Sequence, residues 1–483
     1  MINNQKGMSK SILFTALIGG LYLLFVVLFF NIESSILTKV LSYSTIVLSV
    51  SSIAIFTKKA KTIFNQYNLF LVSFFLFSFG QVYLYAFGTA YKELDFMKRF
   101  QGELINKYLL FSTIALLSMI ICEEIMCERI EVKQEKEKCI VGVDANSVSF
   151  VFGILFIISA PFFYKIMVTQ FLAAREFGYG EIYDLSNNTL YESLSMWYVP
   201  SLFALFYCNK NKNIKYVYLI LLLIPVLGYL YIGTRSKPMA ILICLLYLWD
   251  SSIKKFSKKR IALLFLVCIF MLVVISTISY IRGTSNRSIE DMYEVAINVG
   301  VSDSVVHALG EFGSSMQVWI RLQHIIPEKA GYGFGFSYLS AVLSCIPSVL
   351  LGGFSFARYS NLSVWITNIE NANYGLGFSM LGEAYYNFGW IGAIFFGFIC
   401  RFVFYMLSGN WVPKRMKNYQ NIFSAIALYI FATAGRGAMY LAVRYILYCM
   451  IIPIVAILLL DSKNSIHFRA KENKLLEIGS DSK

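Results

Sequence analysis

Apolar runs of about 20 residues recur along this chain, and they restrict its fold more than any motif does. As a helix, a run of that length matches the hydrocarbon thickness of a bilayer. Inside hydrocarbon every backbone N–H and C=O must be bonded within the chain. Continuous runs therefore predict helices, whereas a barrel would show alternating strands of roughly 10 residues. The chain is 58% hydrophobic and only 14% charged, where soluble domains are about a quarter charged. No single water-soluble core could hide that surplus. The expected fold class is all-α: a polytopic membrane protein with about 12 transmembrane helices.

Hydropathy at span length places the crossings near 11–30, 37–56, 68–90, 104–122, 147–168, 188–208, 216–233, 238–253, 261–281, 379–407, 419–434 and 438–460. The basic residues set the orientation. With the N-terminus inside, the inner segments carry Lys58, Lys59 and Lys61, then Arg129 to Lys138, Lys210 to Lys215, Lys254 to Arg260, and Lys414 to Lys417. Arg401 falls at an inner helix end, and the tail adds Lys463, Arg469, Lys471, Lys474 and Lys483. Positive residues gather on the cytoplasmic side of membrane proteins, so both ends are expected there. The net charge of +14 is this signal plus attraction to anionic inner-leaflet lipid. It is scattered over short loops rather than gathered on a domain, which argues against nucleic-acid binding. Residues 11–30 are too long for the apolar part of a cleavable signal and read as a signal anchor.

The chain divides into an N-terminal membrane bundle of about nine spans (1–281), a large extracytoplasmic loop (282–378), C-terminal membrane helices (379–460) and a cytoplasmic tail (461–483). The loop breaks the rhythm of short connections, and long connections carry function. Residues 342–353, VLSCIPSVLLGG, are apolar, too short to span and broken by Pro347. They predict a re-entrant or surface helix in the outer leaflet. The loop also contains an echo: 332–341 reads YGFGFSYLSA and 374–383 reads YGLGFSMLGE. Each copy sets glycines before an apolar helical stretch. That is either an anion-attracting helix start or simple helix entry at a crowded surface.

Charged groups within a membrane are costly and mark function. Glu383 lies just inside the span that begins near Ser379, and Arg444 lies in the last span. They reach similar depth, either paired with each other or lining a polar pocket in which Glu383 is a general base or acceptor anchor. Asn387, one turn on, can hydrogen-bond Glu383. Gly389, Ala393 and Gly397 form a small-residue ridge for close helix approach. Three arginines run against the orientation bias at the outer surface: Arg235 in GTRSK, Arg282 in IRGT and Arg436 in GRG. A guanidinium fork suits a diphosphate at headgroup level, with interfacial snorkelling as the alternative. In the loop, Gln317, Arg321 and His324 share a helical stripe, as do His307 and Glu311. His324 and Glu311 are further candidates for proton transfer.

Several chemistries find no residues here. There is no P-loop, dinucleotide-binding glycine pattern or HExxH. The nine cysteines form no zinc-ligand spacing with histidine, and no acidic pair in an outer loop suits a metal–nucleotide sugar. No metal or cofactor is expected. An enzyme of this kind must take an already activated donor embedded in the membrane.

The segment NYGLGFSMLGEAYYNFGWIGAIFFGF, the preceding YGFGFSYLSAVLSCIPS and the earlier YIGTRS turn resemble the O-antigen polysaccharide polymerase (Wzy) family. The layout is similar too: many spans, one large outer loop late in the chain, and basic residues in outer loops. The sharper likeness covers about residues 230–400. One departure is that no arginine here has glycine eleven positions on, a spacing some such polymerases carry in outer loops. The resemblance implies a GT-C-like, metal-independent glycosyltransferase of the bacterial inner membrane, with its site facing the extracytoplasmic side. Its substrates would be oligosaccharide repeats on undecaprenyl diphosphate. Arg235, Arg282, Arg436 and Arg444 would hold the diphosphate, and Glu383, His324 or Glu311 would take the proton. Membrane lipid, a chain-length regulator and a flippase are the implied partners. A flippase or transporter for the same lipid-linked sugar, or an O-antigen ligase, are the alternatives.

Overall fold

A computed structural model describes residues 17–26, 28–89, 91, 94–131, 142–183, 189–253, 255–281, 289–346, 348–372 and 374–462. Among them the chain is all-helical, with no strand. The N-terminal bundle comprises α1 (Leu17–Val26), α2 (Ser35–Ala60), α3 (Gln66–Ala86), the short α4 (Phe96–Arg99), α5 (Gly102–Glu131), α6 (Ala145–Glu176), α7 (Thr189–Ser195), α8 (Tyr198–Cys208), α9 (Lys212–Ile232), α10 (Ser236–Ser252) and α11 (Lys258–Ile281). The following region holds α12 (Ile289–Phe312), α13 (Met316–Ile325), α14 (Phe336–Leu343), α15 (Ala357–Ser360) and α16 (Leu362–Ile369). The C-terminal helices are α17 (Met380–Phe388), α18 (Gly392–Ser408), α19 (Gln420–Phe431) and α20 (Met439–Ile446). A π-turn at Leu447–Ile451 carries the helix of α20 onward.

Eight helices are long and apolar enough to cross a membrane, counting α17 with α18 as one and α20 through Ser462 as another. Of the other four apolar runs, α10 and α19 fold as shorter helices, α8 follows α7 after a two-residue turn, and α1 is the described part of the first run. Twelve residues of α19 rise about 18 Å, short of a roughly 30 Å core. Turns of 3-10 helix at Lys414–Tyr419 and Ala434–Arg436 continue it at both ends.

Two apolar helices show how packing decides what hydropathy leaves open. The Phe-rich α3 is enclosed by neighbours, while α11, higher still in mean hydropathy, is largely unburied. A strongly apolar helix is either a core helix or a lipid-facing one, and the structure has one of each. Close approach around α3 depends on small residues: a Cβ on Gly80 would strike the Leu309 carbonyl, and one on Gly313 the Gln81 backbone.

Backbone groups freed inside helices are met by side chains. Pro225 of α9 has no N–H for the Leu221 carbonyl, which instead accepts from the Tyr198 hydroxyl at 3.2 Å. At the π-turn the Tyr448 carbonyl accepts from Trp197 Nε1 at 2.8 Å. In the C-terminal halves of α5 and α18, buried Glu123 pairs with Arg401 at 2.8 Å and with Lys59 at 3.7 Å. A lone carboxylate there would cost several kcal/mol, so the pairing is what permits it.

The small-residue ridge is only partly continuous. The helix breaks at Gly389, whose φ of 58° and ψ of −140° lie outside helical geometry. Ala393 and Gly397 belong to α18. A Cβ on Gly397 would run into Ser118 of α5, whose hydroxyl donates to the Ile394 carbonyl at 2.7 Å.

Candidate functional site

Glu383 sits in the first turn of α17 and is wholly enclosed, with 0% exposure. Its two oxygens receive different donors. Ser337 Oγ of α14 donates to Oε1 at 2.8 Å, and the Met439 backbone N–H at the start of α20 donates to Oε2 at 2.7 Å. A helix start offers unbonded N–H groups and partial positive charge, so a carboxylate there is stabilised. Glu383 thus ties three segments together. The pairing of Glu383 with Arg444 is not formed. Arg444 Nη2 donates to Ser193 Oγ of α7 at 3.3 Å instead. The carboxylate meets the N-terminus of α20 at Met439, whereas Arg444 lies in the last turn of that helix.

Asn387, one turn further along α17, completes the clasp. Its Nδ2 donates to Ser337 Oγ at 2.8 Å and to the Glu383 carbonyl at 2.9 Å, and its Oδ1 accepts from the Gly335 N–H at 3.0 Å. The Gly333 and Phe334 N–H groups donate to the Tyr386 and Asn387 carbonyls, both at 2.9 Å. The glycine segment of the first echo therefore spends its backbone donors on α17. It acts as a clasp, and these N–H groups are not left to receive an anion. A Cβ on Gly333 would collide with the Tyr386 ring and Asn387 Oδ1, so only glycine lets the strands of this clasp approach. Tyr338 is at the same place. Burial pushes its phenol well above the ordinary range, and the neighbouring Glu383 carboxylate adds to the shift.

Ser337 is the residue that sequence reasoning missed, although the echo points to it. Its counterpart in the second copy is Ser379, whose Oγ caps α17 by accepting from the Gly382 N–H at 3.0 Å. The shared Phe-Ser pair thus supplies a helix cap in one copy and a carboxylate ligand in the other.

Arg436 lies on the 3-10 turn immediately before α20. The turn is pressed onto α3: a Cβ on Gly435 would lie 2.7 Å from Phe77 Cβ and 3.2 Å from the Phe74 carbonyl. On the other side, a Cβ on Gly377 would sit 3.6 Å from the Arg436 carbonyl. The second echo therefore meets this turn at Gly377, and through its Glu383 it links the first echo's Ser337 to the start of α20 just beyond. The Arg436 guanidinium itself is half-buried and makes no hydrogen bond or ion pair among the described residues. A guanidinium in such a place offers its N–H fork to a ligand.

Arg235 and Glu311 form a buried ion pair, Nη1 to Oε2 at 2.5 Å. Ser279 Oγ of α11 donates to Glu311 Oε1 at 3.3 Å. His307, one turn back on α12, stacks on Tyr280 with ring centroids 4.3 Å apart. Phe312, next to Glu311, packs edge-on against Phe77 at 5.4 Å. Phe77 is also the residue beneath Gly435. The Arg235–Glu311 pair and the Arg436 turn are thus carried by the same stretch of α3.

The other candidates disperse. Arg321 pairs with Glu370 at 2.7 Å, Gln317 is buried, and His324 is exposed in the last turn of α13. Arg282 lies outside the described residues. Among the described residues no group of three or more His, Cys, Asp or Glu side chains gathers as metal ligands.

No curated protein and no solved structure matches the chain. The sequence model of one family, described as O-antigen polysaccharide polymerase Wzy, matches residues 12–463. That is nearly the whole chain and takes in every element of the clasp, both arginine positions and the apolar helices around them, so this protein belongs to the Wzy family of O-antigen polysaccharide polymerases.

Proposed function

We propose that this chain joins oligosaccharide repeats carried on undecaprenyl diphosphate. It would transfer the growing glycan to a new lipid-linked repeat at the extracytoplasmic face of the bacterial inner membrane. In this reading the chain crosses the membrane twelve times and is related in plan to GT-C glycosyltransferases. Family membership supports the reaction class, and the Arg436 guanidinium, held on a strapped turn with no protein partner among the described residues, is the observation that carries the site.

The chemistry balances without a further reactant. An acceptor hydroxyl oxygen bonds to the anomeric carbon of the donor glycan. The bond from that carbon to the lipid diphosphate breaks, and the diphosphate leaves with the electron pair. Charge grows on the diphosphate in the transition state, and fixed guanidinium groups stabilise it without reorganising. Arg436 is the first such group, with Arg282 and Arg444 as the others, and Arg235, buried against Glu311, bracing the site beside them. Because cationic side chains meet this charge, the reaction is proposed to be metal-independent.

The hydroxyl proton goes to a base. Glu311 is committed to Arg235, and Glu383 is enclosed with both oxygens engaged. His324 is exposed, on the helix α13 that packs against α17, and is the base in this proposal. Glu383 then acts as a positioning residue for Arg436 through the cap on α20.

Deletion and complementation test the function. Without a polymerase, surface product runs as core plus a single repeat on a gel. Without a flippase or a ligase, no surface repeat appears. The polymerase reading expects the first pattern, with the ladder restored by the unmodified chain; absence of any repeat on the gel would sink it.

A further inference from the structure

Where α2 begins and α3 ends, the structure forms an open cavity of about 210 Å³, part of whose wall is formed by Lys39, Gln81, Tyr85, Thr89, Asp95 and Lys98. It is smaller than the roughly 300–1,000 Å³ pockets that take drug-sized ligands, and suits a single small ring. Its wall is built, not incidental. Gln81 makes three hydrogen bonds to the backbone: Nε2 donates to the Leu94 and Gly310 carbonyls, both at 2.9 Å, and Oε1 accepts from the Phe96 N–H at 2.9 Å. One side chain thereby fixes the loop after α3 against α12. Tyr91, also at the wall, packs edge-on to His307 with centroids 6.0 Å apart. Gly310 is one residue from Glu311, so the cavity adjoins the Arg235–Glu311 pair along α12.

Other wall groups are uncommitted. Lys39 is exposed with no ion pair, and Tyr85 is half-buried with no side-chain hydrogen bond or ring contact, among the described residues. Lys98 makes one loose pair, 3.5 Å from Asp95. We propose that this cavity is a sugar subsite, holding one ring of the repeat-unit glycan beside the arginine site; the inference rests on the polymerase reading above. The mixed wall favours a sugar over a phosphate. Asp95 and the C-terminal end of α3 both repel an anion, whereas sugar hydroxyls donate and accept and so use carboxylate and ammonium together. The Tyr85 ring supplies an apolar face for the C–H side of the ring, with a hydroxyl at its edge.

The test uses the full chain in lipid nanodiscs. The probe is the carrier-free oligosaccharide repeat, released by mild acid from the lipid-linked intermediate and titrated by calorimetry. The unmodified chain should bind it. Lys39→Ala and Tyr85→Leu should each weaken binding about fivefold, the loss typical of one hydrogen bond or ring contact. Inorganic phosphate should not compete. Unchanged binding in both variants, no binding by the unmodified chain, or displacement of the sugar by phosphate each overturns the subsite. If Tyr85→Leu elutes as misfolded protein, Thr89→Val replaces it. The titration needs no catalysis, so its failure is separate from that of the polymerase reading, which the deletion gel decides.

Discussion

The carboxylate of Glu383 accepts a hydrogen bond from the backbone N–H of Met439 at 2.7 Å, joining residues 56 positions apart in the chain. This contact fixes the start of α20, and so the turn that presents Arg436. The remaining oxygen accepts from Ser337, and the carboxylate is 0% exposed, so no substrate hydroxyl meets it in this arrangement.

Glu383 should therefore behave as a holding group. Glu383→Ala removes the acceptor for two buried donors, each costing about 1–3 kcal/mol. Thermal unfolding in detergent should show a clear drop in Tm along with loss of long chains. Glu383→Gln keeps one acceptor and should fall between the two. His324→Ala should leave Tm unchanged and still cut chain formation. An inactive Glu383→Gln with native Tm, beside a fully active His324→Ala, would move the base back to Glu383.

The two best-placed arginines should separate stability from activity. Arg436 has no side-chain partner among the described residues, so Arg436→Lys should leave Tm unchanged. It loses the fork that grips phosphate oxygens, and chain formation should fall by roughly a hundred- to a thousandfold. Arg235→Ala instead strands Glu311 and should destabilise by about 3–5 kcal/mol. Normal ladders from Arg436→Lys at normal protein level would remove Arg436 from the site.

Sidedness can be read with reporters. A fusion after Arg260 should report cytoplasm, and an insertion near Lys329 should report the outer side. An inward reading at Lys329 would place the clasp and both arginines on the wrong face for a lipid-linked donor delivered outside.

Metal removal gives a fourth measurement. Chain extension in washed membranes should survive EDTA, because guanidinium groups meet the diphosphate charge. Activity that disappears with EDTA and returns with magnesium would show that a divalent ion shares the work.

Hydropathy is additive over a window of neighbours, so the membrane character, the all-helical class and the places of the apolar runs follow from local composition alone. The echo and the outward arginines were legible for the same reason: both are local patterns. The tertiary structure decided what those residues touch. Ser337 reaches Glu383 across 46 positions and Arg235 reaches Glu311 across 76, separations that no periodicity encodes. It also decided which helices stop short. The break at Gly389 and the 3-10 ends of α19 interrupt the helix inside apolar sequence that reads as continuous. The Glu383–Arg444 pairing, one of two arrangements open from sequence, is not formed for the same reason. Depth along a helix follows from the rise per residue, but the partner of a buried carboxylate is set by which donors packing brings within 3 Å. Here those donors are a backbone N–H at a helix start and a serine from the first echo.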